Sequence, residues 1–302
     1  MATSSTATGS SKAKRLLKIK NKIKRQELYS RLRQEQNKIR HSERKQRAKA
    51  ELQDPTLKEE RLTENVTQTI ESKRVYDETV NVPVEGEDQF QSYFDGRAPK
   101  ILITTNKNAH REAYEFAELL LEIFGGYSNF VKRKHQFEMK DIAKFCSNRD
   151  YTDVIVINED KKNVNGVTFM HLPEGPTFYF SISSLVKAER IGGHGNSTDH
   201  VPELILNNFT TRLGQTVGRL FQSLFPHRPE FEGRQVVTLH NQRDFIFFRR
   251  HRYVFRNEER VGLQELGPQF TLRLRRVQKG IRNEIEWEHR PDMDRDKRKF
   301  HL

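Results

Sequence analysis

Regularly spaced apolar residues begin only after position 99 of this chain. The apolar run 101–105 is typical of a buried strand, and apolar positions three and four residues apart predict a helix over 109–124, which Gly125 and Gly126 end. Four further elements are predicted in the order helix, strand, strand, strand, over 137–145, 154–157, 167–172 and 177–182. This succession predicts a mixed α/β domain.

The same order of elements begins again roughly a hundred residues later. Segment 99–106 compares with 202–209, and the helix that ends at Phe124 compares with one that ends at Phe225. The clearest match joins Gly175-Pro-Thr-Phe-Tyr-Phe-Ser-Ile to Gly267-Pro-Gln-Phe-Thr-Leu-Arg-Leu. Three matches in one order predict a duplicated α/β unit rather than chance similarity, with the two copies side by side.

The chain before position 99 has a different character. Residues 1–50 carry 16 Lys and Arg against 3 Asp and Glu, in a sequence of good helix formers with only a thin apolar stripe. Such a helix cannot pack firmly on its own domain, so a solvated tail and an arm for nuclear import and RNA binding both remain open. The candidate RNA-binding residues of this arm are Lys14, Arg15, Lys18, Lys20, Lys22, Lys24 and Arg25.

An acidic linker separates this arm from the domain. Its aromatic residues Phe90, Tyr93 and Phe94 are predicted to pack on the domain, and a short partner-binding motif is the alternative. The predicted organisation is a basic arm, an acidic linker, a first half, a loop, a second half and a C-terminal tail, over 1–75, 76–96, 97–190, 191–201, 202–285 and 286–302.

Composition narrows the class of protein. The 302 residues include 54 Lys and Arg against 41 Asp and Glu, a formal net charge of +13, which favours a polyanionic partner, either nucleic acid or an anionic membrane. The lone cysteine, Cys146, excludes an intramolecular disulfide and fits a reducing compartment. No apolar run is long enough to span a membrane, and the N-terminus is not typical of a secretory signal.

The strongest local basic charge falls on strand-type sequence in the second copy. Residues 243–282 carry 11 Lys and Arg against 4 Asp and Glu. Aromatic and basic residues mix over 245–255, and Arg273 and Arg275 alternate with Leu272 and Leu274. A row of like charges favours a nucleic-acid surface over an ordinary solvated sheet. The candidate residues are Arg243, Arg249, Arg250, His251, Arg252, Tyr253, Arg273, Arg275, Arg276 and Lys279.

Catalytic and metal-binding patterns are weak by comparison. The run 192–195 lacks the lysine of a phosphate-binding loop, so it is predicted to be a flexible turn. His194, Asp199 and His200 have no further ligand at a suitable spacing, and Cys146 is predicted to be a core residue. No catalytic residue, cofactor or metal is therefore predicted.

Several segments resemble a known family. They are 99–105, 153–160, 171–177, 207–214, 234–244, 245–253 and 265–274, together with the end of the chain. Over about 97–302 the chain resembles a Brix domain. The resemblance implies two halves that are each similar to an anticodon-binding domain, a nucleolar location within the nucleus, binding of precursor ribosomal RNA, and a dedicated protein partner in the pre-ribosome. It also implies an RNA-binding element over 245–255, to which Arg249, Arg250 and Arg252 would belong.

The resemblance also indicates which ribosomal subunit is involved. The runs 205–214 and 73–79 are similar to a branch of the family that serves the large (60S) subunit, and a small-subunit branch is the nearest alternative. We therefore expect a non-enzymatic assembly factor that binds precursor ribosomal RNA during large-subunit biogenesis and rRNA processing. The competing hypotheses are an enzyme that acts on RNA and a protein scaffold whose basic arm serves only nuclear import.

Overall fold

The computed structural model describes residues 19–64, 69, 72–75, 90, 96–257, 260–295 and 299–302. The predicted arm residues Lys14, Arg15 and Lys18 and the linker aromatics Tyr93 and Phe94 lie outside these ranges. The chain divides into two units, residues 1–72 and 73–302. Among the described residues, no helix combines the length and the apolar character that a membrane crossing requires.

The first unit contains two helices, α1 (Lys22–Gln53) and α2 (Pro55–Glu64). Asn21 caps α1, because its side chain accepts a hydrogen bond from the Lys24 amide at 3.2 Å. None of the residues of α1 is buried, which confirms that its thin apolar stripe does not support packing. Eleven of its side chains are Lys or Arg and four are Glu, so α1 is an exposed, positively charged rod.

The second unit contains the predicted α/β elements. Its helices are α3 (Arg111–Phe124), α4 (Met139–Ser147) and α5 (Arg212–Ser223). Its strands are β1 (Ile101–Thr105), β2 (Ser128–Phe130), β3 (Asp153–Asp160), β4 (Asn163–His171), β5 (Thr177–Val186), β6 (Glu203–Asn207), β7 (Gln235–Gln242), β8 (Phe245–Asn257), β9 (Arg260–Glu265), β10 (Gln269–Gln278) and β11 (Ile285–Glu288). The predicted elements are all present, with their ends shifted by a few residues.

All of these strands belong to one sheet, whose order β2-β1-β3-β4-β5-β10-β8-β7-β6 confirms the duplication. In the first half β1 is parallel to β3, and β3, β4 and β5 follow as antiparallel neighbours. In the second half β6 is parallel to β7, and β7, β8 and β10 follow in the same way. The last strands of the halves, β5 and β10, pair antiparallel and join the copies into one surface.

Matching glycines precede those two last strands. Gly175 has φ 99° and Gly267 has φ 69°, a region that favours glycine. A Cβ at Gly175 would lie 2.5 Å from the backbone of Gly280, and one at Gly267 would lie 2.9 Å from Ala188. The Gly-Pro pairs that the sequence places a copy apart therefore occupy equivalent, closely packed corners of the two halves.

The two faces of the sheet are covered differently. We call the face that packs against α3 and α5 the inner face, and it holds the large core that includes Phe116, Phe180, Phe221 and Phe248. Phe90 also lies in this core with 1% of its surface exposed, which confirms the packing role predicted for it. On the opposite, outer face, α4 covers the first half alone, over apolar residues such as Val154. On the outer face of the second half, the short turn Pro291–Asp294 that follows β11 contacts Arg273 of β10.

The last residues, His301 and Leu302, pack on the domain. Leu302 is 1% exposed, and the amides of His301 and Leu302 donate to Asp244 Oδ1 at 2.7 and 2.9 Å. Thr211, the N-cap residue of α5, donates its hydroxyl to the His301 carbonyl at 2.6 Å and accepts from the Gly214 amide at 2.8 Å. Thr211 thus joins the helix start to the C-terminal segment.

Thr211→Ala is expected to lower the free energy of unfolding by about 1–2 kcal/mol, because it removes the N-cap and leaves the His301 carbonyl without its donor. Urea denaturation, followed by the fluorescence of Trp287, measures this change. Thr216→Ala is the matched control, since the Thr216 hydroxyl bonds only to a carbonyl of its own exposed helix face. Equal destabilisation by both substitutions would contradict the role given to Thr211.

Candidate nucleic-acid interface

Beyond the main sheet, β8 and β9 continue as a two-stranded ribbon, which we call the hairpin (residues 251–265). Cross-strand pairing places Tyr253 opposite Leu263 and Phe255 opposite Val261 on one side of it. Phe255, Val261 and Leu263 are exposed by 66%, 50% and 65%. The Tyr253 hydroxyl donates to Glu203, which ties the base of the hairpin to β6. Aromatic and aliphatic groups are therefore presented to solvent.

Three arginines of the hairpin carry its basic charge. Arg256 and Arg260 are exposed, and Arg252 is half-buried with one bond, from Nη2 to the Asn196 carbonyl at 3.3 Å. Among the described carboxylates, none forms an ion pair with these three guanidinium groups. The turn residues 258 and 259, both glutamates, lie outside the described residues. Guanidinium groups beside exposed aromatic rings are the kind of groups with which proteins bind single-stranded nucleic acid.

The remaining candidates of the second half divide into exposed and half-buried positions. Arg243 and Lys279 are exposed in turns, and His251 is half-buried at the base of the hairpin. Arg249 is half-buried on the outer face, where its Nη1 donates to the Phe248 carbonyl at 2.7 Å and its Nε lies 3.9 Å from Glu265. These groups lie at the solvent boundary of the second half.

Arg250 is buried in the domain, whereas an RNA contact requires an exposed side chain. It shares the inner face with Ile246 and Phe248, and its residue is fully buried. Its guanidinium donates to Glu122 at 3.1 Å, Ser197 at 2.5 Å and Gln235 at 2.7 Å. Burial lowers the pKa of this guanidinium. The structure therefore corrects the expectation for Arg250, which holds α3, β7 and the 191–201 loop together.

Three arginines of β10 lie close to the C-terminal region of the chain: Arg273, Arg275 and Arg276. Arg276 Nε donates to Glu288 of β11 at 2.9 Å. Arg273 lies over the Phe245 ring, 4.7 Å from its centroid, and donates to Asp294. Arg275 donates to Ser181 at 2.9 Å. The alternation of these arginines with leucines is confirmed, although a register shift in β10 follows Leu274.

His289 completes this cluster on the outer face. Its Nδ1 lies 3.1 Å from Arg275 Nη1, and its Nε2 lies 3.0 Å from Arg273 Nη2 and 3.3 Å from Asp294 Oδ1. Burial and the positive charge of Arg273 lower the pKa of His289, so the neutral ring is favoured. Each ring nitrogen lies within hydrogen-bond distance of one arginine, so in either neutral tautomer the unprotonated nitrogen accepts a hydrogen bond from Arg275 or Arg273. The hydrogen bond from Arg273 lowers the pKa of the Asp294 carboxyl.

The described candidates of the basic arm lie at the start of α1 and just before it. Lys20, Lys22 and Lys24 are exposed. Arg25 is half-buried, and its Nη1 donates to the Ile19 carbonyl at 3.3 Å. These four residues present a dense cluster of positive charge at the start of the helix.

The positions considered for metal binding or catalysis serve other roles in the structure. His194 Nδ1 lies 3.0 Å from the Ile191 carbonyl, and His200 Nδ1 lies 3.0 Å from Thr198 Oγ1. The described part of the chain contains no group of three His, Cys, Asp or Glu side chains placed to hold a metal ion. Cys146 lies on the buried face of α4 and packs in the core, which confirms its predicted core role; burial raises its pKa to about 11.

The candidate residues drawn from sequence omitted part of this surface. Arg256, Arg260 and Phe255 are among the most exposed side chains of the hairpin, yet the sequence-based set included none of them. Continuation of the basic and aromatic pattern past Tyr253 could have indicated them. The contact of Asp294 with Arg273 had no comparable signal, because 21 positions separate the two residues.

Fold and surface together define a class: a duplicated α/β domain with one sheet and a basic hairpin that extends from its second half. The family model of the Brix domain matches residues 106–276. The chain therefore belongs to the Brix-domain family.

Particular relatives cover nearly all of the chain. "Ribosome production factor 1" of Saccharomyces cerevisiae is 61% identical over 290 residues, which are 95% of this chain and 98% of the relative. The protein of the same name from Pongo abelii is 46% identical over 94% of this chain and 84% of its own length. The crystal structure of a probable ribosomal biogenesis protein from Aeropyrum pernix K1 covers 58% of this chain and 96% of its own, with 15% identity and a TM-score of 0.44.

Proposed function

We propose that this protein is a ribosome assembly factor that binds precursor ribosomal RNA of the large (60S) subunit in the nucleolus, without a catalytic step. Membership of the Brix-domain family supports the proposal, as does similarity over most of the chain to proteins named ribosome production factor 1. Binding to pre-ribosomal particles, where a dedicated protein partner is expected, belongs to the same proposal.

The observation that carries the RNA-binding part is the state of the hairpin arginines. Arg252, Arg256 and Arg260 lie on the two paired strands of the hairpin, and none of them is neutralised by a described carboxylate. Guanidinium groups that no carboxylate neutralises can bind phosphate oxygens, and neighbouring rings such as Phe255 can stack on unpaired bases. A surface of this kind favours single-stranded or looped RNA over regular duplex.

Helix α1 supplies a second basic element. Its 32 residues extend about 48 Å at 1.5 Å per residue, and its side chains are not engaged in a core. Positive charge along such a rod attracts the RNA backbone without reading its sequence. We therefore assign to α1 a general contribution to affinity, and to the hairpin the contacts that position the RNA.

Crosslinking of the full-length protein to RNA in cells tests this function. Ultraviolet crosslinks are expected in precursor RNA of the large subunit, and the crosslinked peptides are expected to include the hairpin and α1. Crosslinks confined to small-subunit precursor would contradict the 60S assignment. Complete absence of RNA crosslinks, with the protein still bound to pre-ribosomal particles, would favour the protein-scaffold hypothesis.

A further inference from the structure

Arg273 and Arg275 form a second basic site, separate from the hairpin, on the outer face. Both guanidiniums lie within hydrogen-bond distance of His289. Among the described carboxylates, Asp294 accepts a hydrogen bond from Arg273, and its negative charge also favours the charged form of Arg275. Since the neutral form of His289 is favoured, two positive charges face one negative charge. The site therefore retains unused capacity for an anion.

Packing fixes the arginine side chains but leaves the carboxylate more exposed. Arg273 has 17% of its side chain exposed and lies against the Phe245 ring, whereas 49% of the Asp294 side chain is exposed. Asp294 ends a single 3-10 turn, Pro291–Asp294, whose neighbouring Asp292–Arg295 ion pair is also exposed. Ion pairs with an exposed partner are weak, so another anion can replace this carboxylate at little cost.

We propose that Arg273 and Arg275 form a phosphodiester-binding site for RNA, and that Asp294 occupies the phosphate position in the protein without RNA. This inference rests on the proposed RNA-binding function and names a second site for it. A phosphodiester group offers two anionic oxygens to the paired guanidiniums, so it matches the site at least as well as one carboxylate. Asp294 thereby acts as an internal competitor that lowers the affinity for RNA.

The test compares two aspartates of the same short turn by fluorescence anisotropy with a labelled, 20-nucleotide single-stranded oligouridine. Asp294→Asn removes the competing charge and is expected to tighten RNA binding about 3- to 5-fold. Asp292→Asn removes one charge nearby without a contact to Arg273, so it should change affinity by less than about 2-fold. Asp294→Glu retains the charge and should bind like the original chain.

A double variant locates the effect. In the background of Arg273→Gln, the Asp294→Asn change is expected to lose its advantage, because the arginine that it releases is gone. Equal gains from Asp294→Asn and Asp292→Asn, or a gain that persists without Arg273, would overturn the proposal. No gain in a protein that binds oligouridine through the hairpin would overturn it while leaving the proposed function intact. No binding by any variant would overturn both.

Discussion

Replacing Arg250 by methionine is expected to lower the free energy of unfolding by about 3 kcal/mol. Methionine fills much of the space but leaves the buried Gln235 carbonyl oxygen and the Ser197 hydroxyl without their donor, and it removes the link to Glu122. For a unit of this size the midpoint of thermal unfolding should fall by about 6–10 °C. Calorimetry of the full-length protein measures this shift.

The neighbouring residue supplies the control for this prediction. Arg249 lies on the same strand with its side chain on the opposite face, where its ion pair with Glu265 is long, at 3.9 Å. Arg249→Met should therefore change stability by less than about 0.5 kcal/mol. If both variants lose similar stability, the buried network around Arg250 does not have the role that its geometry indicates. Combining Arg249, Arg250 and Arg252 in one variant would confuse loss of folding with loss of RNA contacts.

Loss of the hairpin arginines is expected to have the largest effect on RNA binding. Replacing Arg252, Arg256 and Arg260 together by glutamine should weaken binding of single-stranded RNA about 100-fold near 0.1 M salt, if each arginine contacts one phosphate. Because each contact releases counterions, the slope of log affinity against log salt should become shallower by about 2. Anisotropy titrations over a series of salt concentrations measure both quantities.

A control variant with the same change of charge elsewhere in the domain distinguishes direct contacts with RNA from general electrostatic attraction. Lys144, Lys161 and Lys162 are exposed in the first half, so their joint replacement by glutamine also removes three positive charges. This control should weaken binding several-fold at most, since screening at 0.1 M salt limits attraction between distant charges. A similar loss of affinity in both triple variants would mean that the hairpin makes no specific contact.

Much of the fold could be predicted because its causes are local. The spacing of apolar residues in α3 and the glycine at its end define that helix without reference to the rest of the chain. The duplication was visible for the same reason, since each Gly-Pro corner and the strand after it repeats a local pattern. One further inference was available, because a period of two places Arg250 on the same face as Ile246 and Phe248, and this face proves to be buried.

Contacts between distant parts of the chain could not be predicted in the same way. The partners of Arg250 come from α3, the 191–201 loop and β7, and Glu122 is 128 positions away from it. Asp294 reaches Arg273 only because β11 pairs with β10 and directs the following turn over the outer face. No periodic pattern in the sequence predicts these long-range contacts, since they depend on how the complete sheet is assembled.

The sequence by itself determined the elements, their duplication, the family and the concentration of basic charge in α1 and the second half. Each of these follows from local spacing, composition or motifs, which the linear chain carries directly. Only the tertiary structure decided which arginines are exposed to solvent. It buries Arg250, pairs Arg273 with Asp294 and leaves Arg256 and Arg260 open, because the availability of a charge depends on the burial and partners that folding provides.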